Sequence, residues 1–212
     1  MSNELTLDIA GVQLGATLGL PNAPRGAVIF AHGSGSSRHS SRNRFVAQAL
    51  NDRGFATLLM DLLTPEEERV DDVTRELRFD IPLLARRLGA AAQWWRTHSA
   101  APRVPLGYFG ASTGAGAALL AAAEDSAISA IVSRGGRPDL AGRALSRVTA
   151  PTLLIVGSRD AVVLDLNREA AAQMRATVEI AIVQNATHLF PEPGTLEEVA
   201  RLAGEWFSAH AS

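Results

Sequence analysis

Six short, mostly apolar runs punctuate this chain: Ala27–Ala31, Phe55–Met60, Leu106–Phe109, Ile128–Ser133, Thr152–Val156 and Val178–Val183. Their length and their β-branched or aromatic content suit parallel strands covered on both faces. Between them, apolar residues recur at helical spacing. Ser41–Arg53 sets Phe45, Val46, Ala49 and Leu50 on one face, and Val73, Leu77, Ile81, Leu84, Leu88, Ala92 and Trp95 form a second stripe. Pro82 inside that stripe predicts a kink, or two helices with Asp80 capping the second. Thr113–Glu124 and Val162–Arg175 read as two more helices. The last helix carries Thr195 and Glu198 as a capping box, with Leu196, Val199, Leu202 and Trp206 on one stripe. Ahead of all this, Leu5–Ile9 and Val12–Leu18 alternate in polarity about Gly11, as a hairpin does. The expected class is α/β: a mostly parallel, doubly wound sheet of about eight strands, antiparallel at its start, with helices on both faces.

The 212 residues suit one domain, 1–212, large enough to bury a core without staples. Twenty basic residues against 22 acidic ones leave a net charge of −2, which argues against nucleic acid as a partner. The chain has no Cys, which excludes disulfides, cysteine-ligated metals and thiol nucleophiles. It also has no Lys, which excludes Schiff-base chemistry and the lysine of a P-loop. Met1 to Leu20 lacks a basic start and carries Glu4 and Asp8, unlike a secretory signal. The apolar stretch Ala115–Ala123 is too short to span a bilayer. No membrane partner and a cytoplasmic location are the expectations; oligomeric state is left open.

Gly110-Ala111-Ser112-Thr113-Gly114 matches G-x-S-x-G. The five residues alone are a weak signal, but they directly follow an expected strand and open an expected helix. That is the context of a nucleophile elbow, in which small neighbours let a tight turn present the serine hydroxyl. The helix start behind it offers N–H groups to a developing oxyanion. A serine nucleophile needs a base, and the base needs an orienting acid. Asp160 follows the strand Thr152–Val156 and His188 follows the strand Val178–Val183, so Ser112, Asp160 and His188 appear in the required order at strand ends.

The rivals are weaker. His32 ends a strand and is read as shaping the Gly-rich loop after it. His39 is expected in solvent, His98 at a helix end and His210 in a tail. Asp165 lies inside the next helix, and Asp61 is read as anchoring the turn Asp61-Leu62-Leu63-Thr64. No His–carboxylate set has metal-ligand spacing, so no metal is expected. His32-Gly33-Ser34-Gly35 fails the dinucleotide fingerprint because Arg38 stands where its third glycine belongs. Its better reading is half of an oxyanion hole, with the N–H of Ser34 beside that of Thr113.

These motifs, with Gly157-Ser158-Arg159-Asp160 and Thr187-His188, resemble the α/β-hydrolase superfamily over nearly the whole chain, and within it the small, lidless dienelactone-hydrolase-like branch. The resemblance implies a second strand antiparallel, a nucleophile after the fifth strand and an acid after the seventh. It also implies no cap domain, because Ser133 to Ala150 leaves room for only one short helix, near Pro138–Arg147. Dienelactone hydrolase uses a cysteine where this chain has Ser112, which points to a serine esterase on the same scaffold.

The expected activity is therefore hydrolysis of small carboxylic esters of short or compact acyl groups through an acyl-enzyme, with no cofactor. Thioester or amide cleavage, acyl transfer and perhydrolysis use the same residues, and a non-catalytic binding protein of the same fold is the alternative of another class. Leu63, Val162, Val163 and Leu189 are candidates for an acyl pocket, with ordinary packing as the competing explanation. Arg38, Arg42 and Arg44 follow the oxyanion loop, where one of them, Arg38 among the candidates, could bind an anionic group of the substrate.

Overall fold

The computed structural model describes residues 2–211; Met1, where the N-terminal segment begins, lies outside them. Two strands, β1 (Ser2–Ile9) and β2 (Val12–Gly19), form the expected hairpin. Its two-residue turn holds Ala10 at φ 51° and Gly11 at φ 76°, the left-handed pair that a tight hairpin requires. Next come β3 (Gly26–Ala31), α1 (Ser41–Asp52) and β4 (Phe55–Met60). The chain continues with α2 (Pro65–Thr74), a 3-10 turn at Leu77–Phe79, α3 (Ile81–His98), β5 (Leu106–Ala111) and α4 (Thr113–Ala123). It ends with β6 (Ile128–Arg134), a kinked 3-10 stretch at Pro138–Arg147, β7 (Thr152–Gly157), α5 (Ala161–Ala171), β8 (Val178–Val183) and α6 (Thr195–His210).

The eight strands make one sheet in the order β1-β2-β4-β3-β5-β6-β7-β8. β2 runs antiparallel to both its neighbours, and the remaining pairs are parallel. This is the α/β-hydrolase arrangement, and between β6 and β7 only the short Pro138–Arg147 stretch intervenes, with no cap domain. Side-chain alternation divides the core in two. Ala27, Ile29 and Ala31 of β3 join Trp95 and Tyr108 under α3 and α4. Val28 and Phe30 join Phe109 and Phe207 under α1 and α6. Both faces of β3, β4, β5 and β7 are buried, which is why they read as apolar runs, whereas β8, expected to be covered likewise, lies at the sheet edge with Glu179 and Ile182 exposed.

Five local expectations change. The helix α2 was not expected: Thr64 is its N-cap rather than the end of a turn, its hydroxyl accepting from Glu67 N while the Glu67 carboxylate accepts from Thr64 N, with Pro65 opening the helix. Asp80 does cap a separate α3, accepting from Leu83 N at 2.9 Å, so Val73 belongs to α2 and is 85% exposed. In α1 the buried face is Asn43, Val46, Ala47 and Leu50, and Phe45, about 100° around the helix from Val46, faces outward. Finally, Thr195 and Glu198 make no capping box. Gly194, at φ 80°, brings the chain into α6 so that Thr195 is already helical, and its hydroxyl donates back to Glu192 O at 2.7 Å. α5 also stops at Ala171, short of Arg175.

Close packing of α4 on β3 fixes the turn between β5 and α4. A Cβ on Gly114 would lie 2.3 Å from Ala31 O and 2.5 Å from His32 O. Both obstacles are backbone and cannot swing aside. Gly114→Ala is expected to lower unfolding stability by ~3 kcal/mol or more. Gly89→Ala, in α3 with open space around it, should instead raise it by about 0.5–1 kcal/mol. Denaturant titration of both variants checks the pair; a mild loss in Gly114→Ala would mean that α4 can shift.

Candidate active site

Ser112 sits between β5 and α4 at φ 49° and ψ −121°, a conformation that costs a non-glycine residue of order 1–3 kcal/mol. The surroundings hold it there. Its N–H donates to Arg134 O, and its carbonyl accepts from Arg137 N and Ala115 N. Gly110 gives the clearance, since a Cβ there would lie 2.4 Å from Ala115 Cα. The serine side chain is half-buried, and its hydroxyl has no hydrogen-bond partner among the described residues.

Asp160 and His188 are in direct contact. Asp160 opens α5 after β7, and its Oδ2 lies 2.6 Å from His188 Nδ1. The carboxylate therefore selects the Nδ1–H tautomer and leaves Nε2 as the basic nitrogen. The loop carrying the histidine is pinned at its base, where Thr187 donates through both N–H and hydroxyl to the Glu192 carboxylate. That carboxyl is held below its ordinary range chiefly by the Thr187 hydroxyl. His188 also packs over Gly135, where an added Cβ would lie 3.5 Å from ring atoms Nδ1 and Cε1. Ser112 bonds to the residue before that glycine, so the serine and the histidine flank Gly135. The rival Asp165 is exposed and paired with Arg168 at 3.0 Å.

The expected oxyanion donors, Ser34 and Thr113, are placed differently from expectation in one respect. Ser34 N–H does not face open space: it donates to Thr113 Oγ1 at 2.8 Å. The two expected residues are thus neighbours, but Ser34 N–H reaches an oxyanion only by sharing or releasing the threonine hydroxyl. Thr113 N–H, at the first position of α4, has no intrahelical acceptor to lose.

His32 is not a base in waiting. It is buried, its Nδ1 donates to Gly33 O at 2.9 Å, and its Nε2 accepts from Leu62 N at 3.1 Å. It joins the oxyanion loop to the segment after β4. Burial pushes its pKa down. The neutral form is therefore favoured in the folded chain, while the unfolded chain protonates near pH 6.5. Stability from this group is complete above that pH and is lost as pH falls through the folded value. Thermal midpoints should drop below about pH 6.5, with a shallower drop in His32→Asn; equal slopes would remove His32 from the account.

Arg38 is engaged by carboxylates and does not line the cleft beside Thr113. Its guanidinium grips Asp61 and reaches Glu4 at 3.2 Å, and its N–H donates to Asp61 Oδ1 at 2.8 Å. Asp61 thereby anchors the oxyanion loop rather than the turn that begins with it. A cleft of about 270 Å³ opens beside Thr113 and this loop, lined by the apolar side chains of Leu62, Leu63 and Leu84 and by the charged ones of Glu68, Asp72 and Arg78. Leu63 is thus part of a cleft lining that includes Thr113. Val163 is packed in the core against Val156 and Leu164, whereas Val162 and Leu189 are exposed and do not line the cleft. This lining is braced by Arg87, which is buried, clasps both Glu67 oxygens at 2.6 and 2.7 Å and donates to Leu62 O. Among the described residues no cluster of three metal-ligating side chains occurs, and no helix is long and apolar enough to cross a membrane.

Comparison with known proteins agrees with this frame. The model of the α/β-hydrolase domain family matches residues 24–201. A crystal structure of dienelactone hydrolase from Anabaena variabilis superposes with a TM-score of 0.96 at 52% identity, covering 100% of this chain and 99% of that one. Est1E from Butyrivibrio proteoclasticus superposes at 0.79 with 17% identity, over 97% and 98% of the two chains, a likeness of fold alone. A curated protein of Mycobacterium tuberculosis is 58% identical over 204 residues and bears the provisional name of a phosphoribosyl transferase. The match covers 95% of this chain but 45% of that protein, so the chain spans about half the length of the curated relatives it matches.

Proposed function

Since the chain belongs to the α/β-hydrolase domain family, we propose that it hydrolyses carboxylic esters of short or compact acyl groups through an acyl-enzyme on Ser112. The observation that carries this reading is the 2.6 Å contact of Asp160 with His188, beside a serine held in the elbow conformation. His188 Nε2 takes the Ser112 proton as the oxygen attacks the ester carbonyl. Asp160 keeps the imidazole in the right tautomer and stabilises the imidazolium. Thr113 N–H receives the oxyanion, joined by Ser34 N–H once the Thr113 hydroxyl turns away. His188 returns the proton to the leaving alcohol, then activates water to release the acid. Among the described residues no hydrogen bond joins Ser112 to His188, as is common in unliganded sites, which tighten with substrate. The transferase name belongs to a protein more than half of which lies outside the match, and a serine elbow with an oriented imidazole is suited to acyl chemistry.

The cleft, which reaches the proposed oxyanion donors Ser34 and Thr113, supports a compact acyl group. Its volume of about 270 Å³ falls below the usual range of drug-sized ligand sites, and its lining mixes apolar and charged side chains. Across chromogenic esters from acetate to laurate, kcat/KM should peak at short chains and fall by about ten-fold or more at the longest. A rise toward long chains, or a rate jump on emulsified lipid, would overturn the compact-acyl assignment.

A further inference from the structure

β6 ends in Val132-Ser133-Arg134, and alternation turns Arg134 to the same face as Val132, the face covered by α1 and α6. An arginine in that place is unusual. It keeps 6% of its surface exposed, and its Nε and Nη1 are sealed from solvent with no hydrogen-bond partner. The guanidinium carbon stands 5.9 Å from the centre of the Phe190 ring, two residues beyond His188. Its charged neighbour is another arginine, Arg42, in the first turn of α1, whose own Nε is also sealed and unpartnered. That turn carries no acidic residue. Burial first, and then Arg42, pull the Arg134 pKa down to about 10.

Other well-covered arginines of the described chain have their carboxylates: Arg87 holds Glu67, Arg78 holds Asp71 and Arg38 holds Asp61. Neither Arg134 nor Arg42 forms an ion pair among the described residues. A buried guanidinium without a counter-charge is costly, and a second cation beside it adds to the cost. A bound oxyanion removes both penalties. Guanidinium forks match carboxylate and phosphate oxygens, and the start of α1 adds the favourable end of a helix dipole.

We propose that Arg134 and Arg42 form an oxyanion-binding site, taking a phosphate or carboxylate group, under the loop that carries His188. It is separate from the cleft beside Thr113, which neither arginine lines. Nη2, alone among the Arg134 nitrogens, is not sealed, which gives an anion its approach.

The test is thermal unfolding of the full chain in inorganic phosphate or acetate, against sodium chloride at matched ionic strength. Phosphate should raise the midpoint saturably above chloride; the acetate arm reports whether a planar monoanion is also taken. Arg42→Ala should weaken the apparent phosphate affinity at least ten-fold. Arg134→Met should abolish the response while raising the midpoint in chloride, because a buried unpaired charge is gone. A phosphate response that equals chloride, that keeps the parent affinity in Arg42→Ala, or that survives Arg134→Met would overturn the site. Should Arg134→Met fold poorly, Arg42→Ala decides alone. The readout is binding, so it stands apart from the fate of the ester-hydrolase assignment.

Discussion

Ser112→Ala is expected to fold like the parent and to lose ester hydrolysis by ~10⁴-fold or more in kcat. The fold is expected to persist because the elbow is held by backbone groups: Arg134 O, Arg137 N and Ala115 N bond to the main chain of residue 112, and no partner holds its hydroxyl. Alanine in the same conformation bears a strain similar to serine's, so a small change in unfolding midpoint is expected. The rate collapses because the bond made in the acyl-enzyme is to that oxygen, and neither His188 nor the helix N–H groups can replace it. What remains is catalysis by the oxyanion donors and binding alone, for which water must be the nucleophile. Initial rates on a short chromogenic ester, with circular dichroism as the fold control, measure both halves. A folded variant keeping more than a tenth of the parent activity would falsify the nucleophile assignment.

The sheet was legible because its central strands are buried on both faces and its breaks are marked by glycine, so runs such as Phe55–Met60 coincide with observed strands. The helix α2 escaped because it is not held by an apolar face. Val70 and Val73 are exposed, and polar groups fix it instead: Glu67 to Arg87 and Asp71 to Arg78. Its start was nonetheless readable in Thr64-Pro65-Glu66-Glu67, which carries a capping signal. At the site, Ser112, Asp160 and His188 could be placed by motif and topology, since each occupies a strand end in a known order. The pairing of Ser34 N–H with the Thr113 hydroxyl could not, because it joins loops 79 residues apart through a single rotamer. Arg134 was equally silent, for an arginine ending a strand looks like surface until the elements above it are in place. Arg38 misled for the opposite reason: proximity in sequence to the oxyanion loop suggested a role at the rim, whereas Asp61 and Glu4 had already claimed its charge.

Asp160→Asn should cost about 10³- to 10⁴-fold in kcat, while Asp165→Asn should stay within about two-fold of the parent. The two aspartates are five positions apart in the chain, and sequence order alone admits either as the orienting acid. Geometry separates them. Asp160 accepts from His188 Nδ1 at 2.6 Å with its side chain mostly covered, so its charge acts through a short, shielded contact. Asparagine there keeps the shape but removes the charge that stabilises the imidazolium, and its amide can donate to Nδ1, leaving the proton on Nε2 where it cannot accept from serine. Asp165 is exposed on α5 and paired with Arg168, three residues on, so its charge is screened by solvent and directed elsewhere. Measuring kcat for both variants on one neutral ester isolates the acid, because both substitutions remove one negative charge from the same helix. Were Asp165→Asn the damaging change, the hydrogen bond between Asp160 and His188 would be a structural pairing, and the base would have to be oriented by some other group.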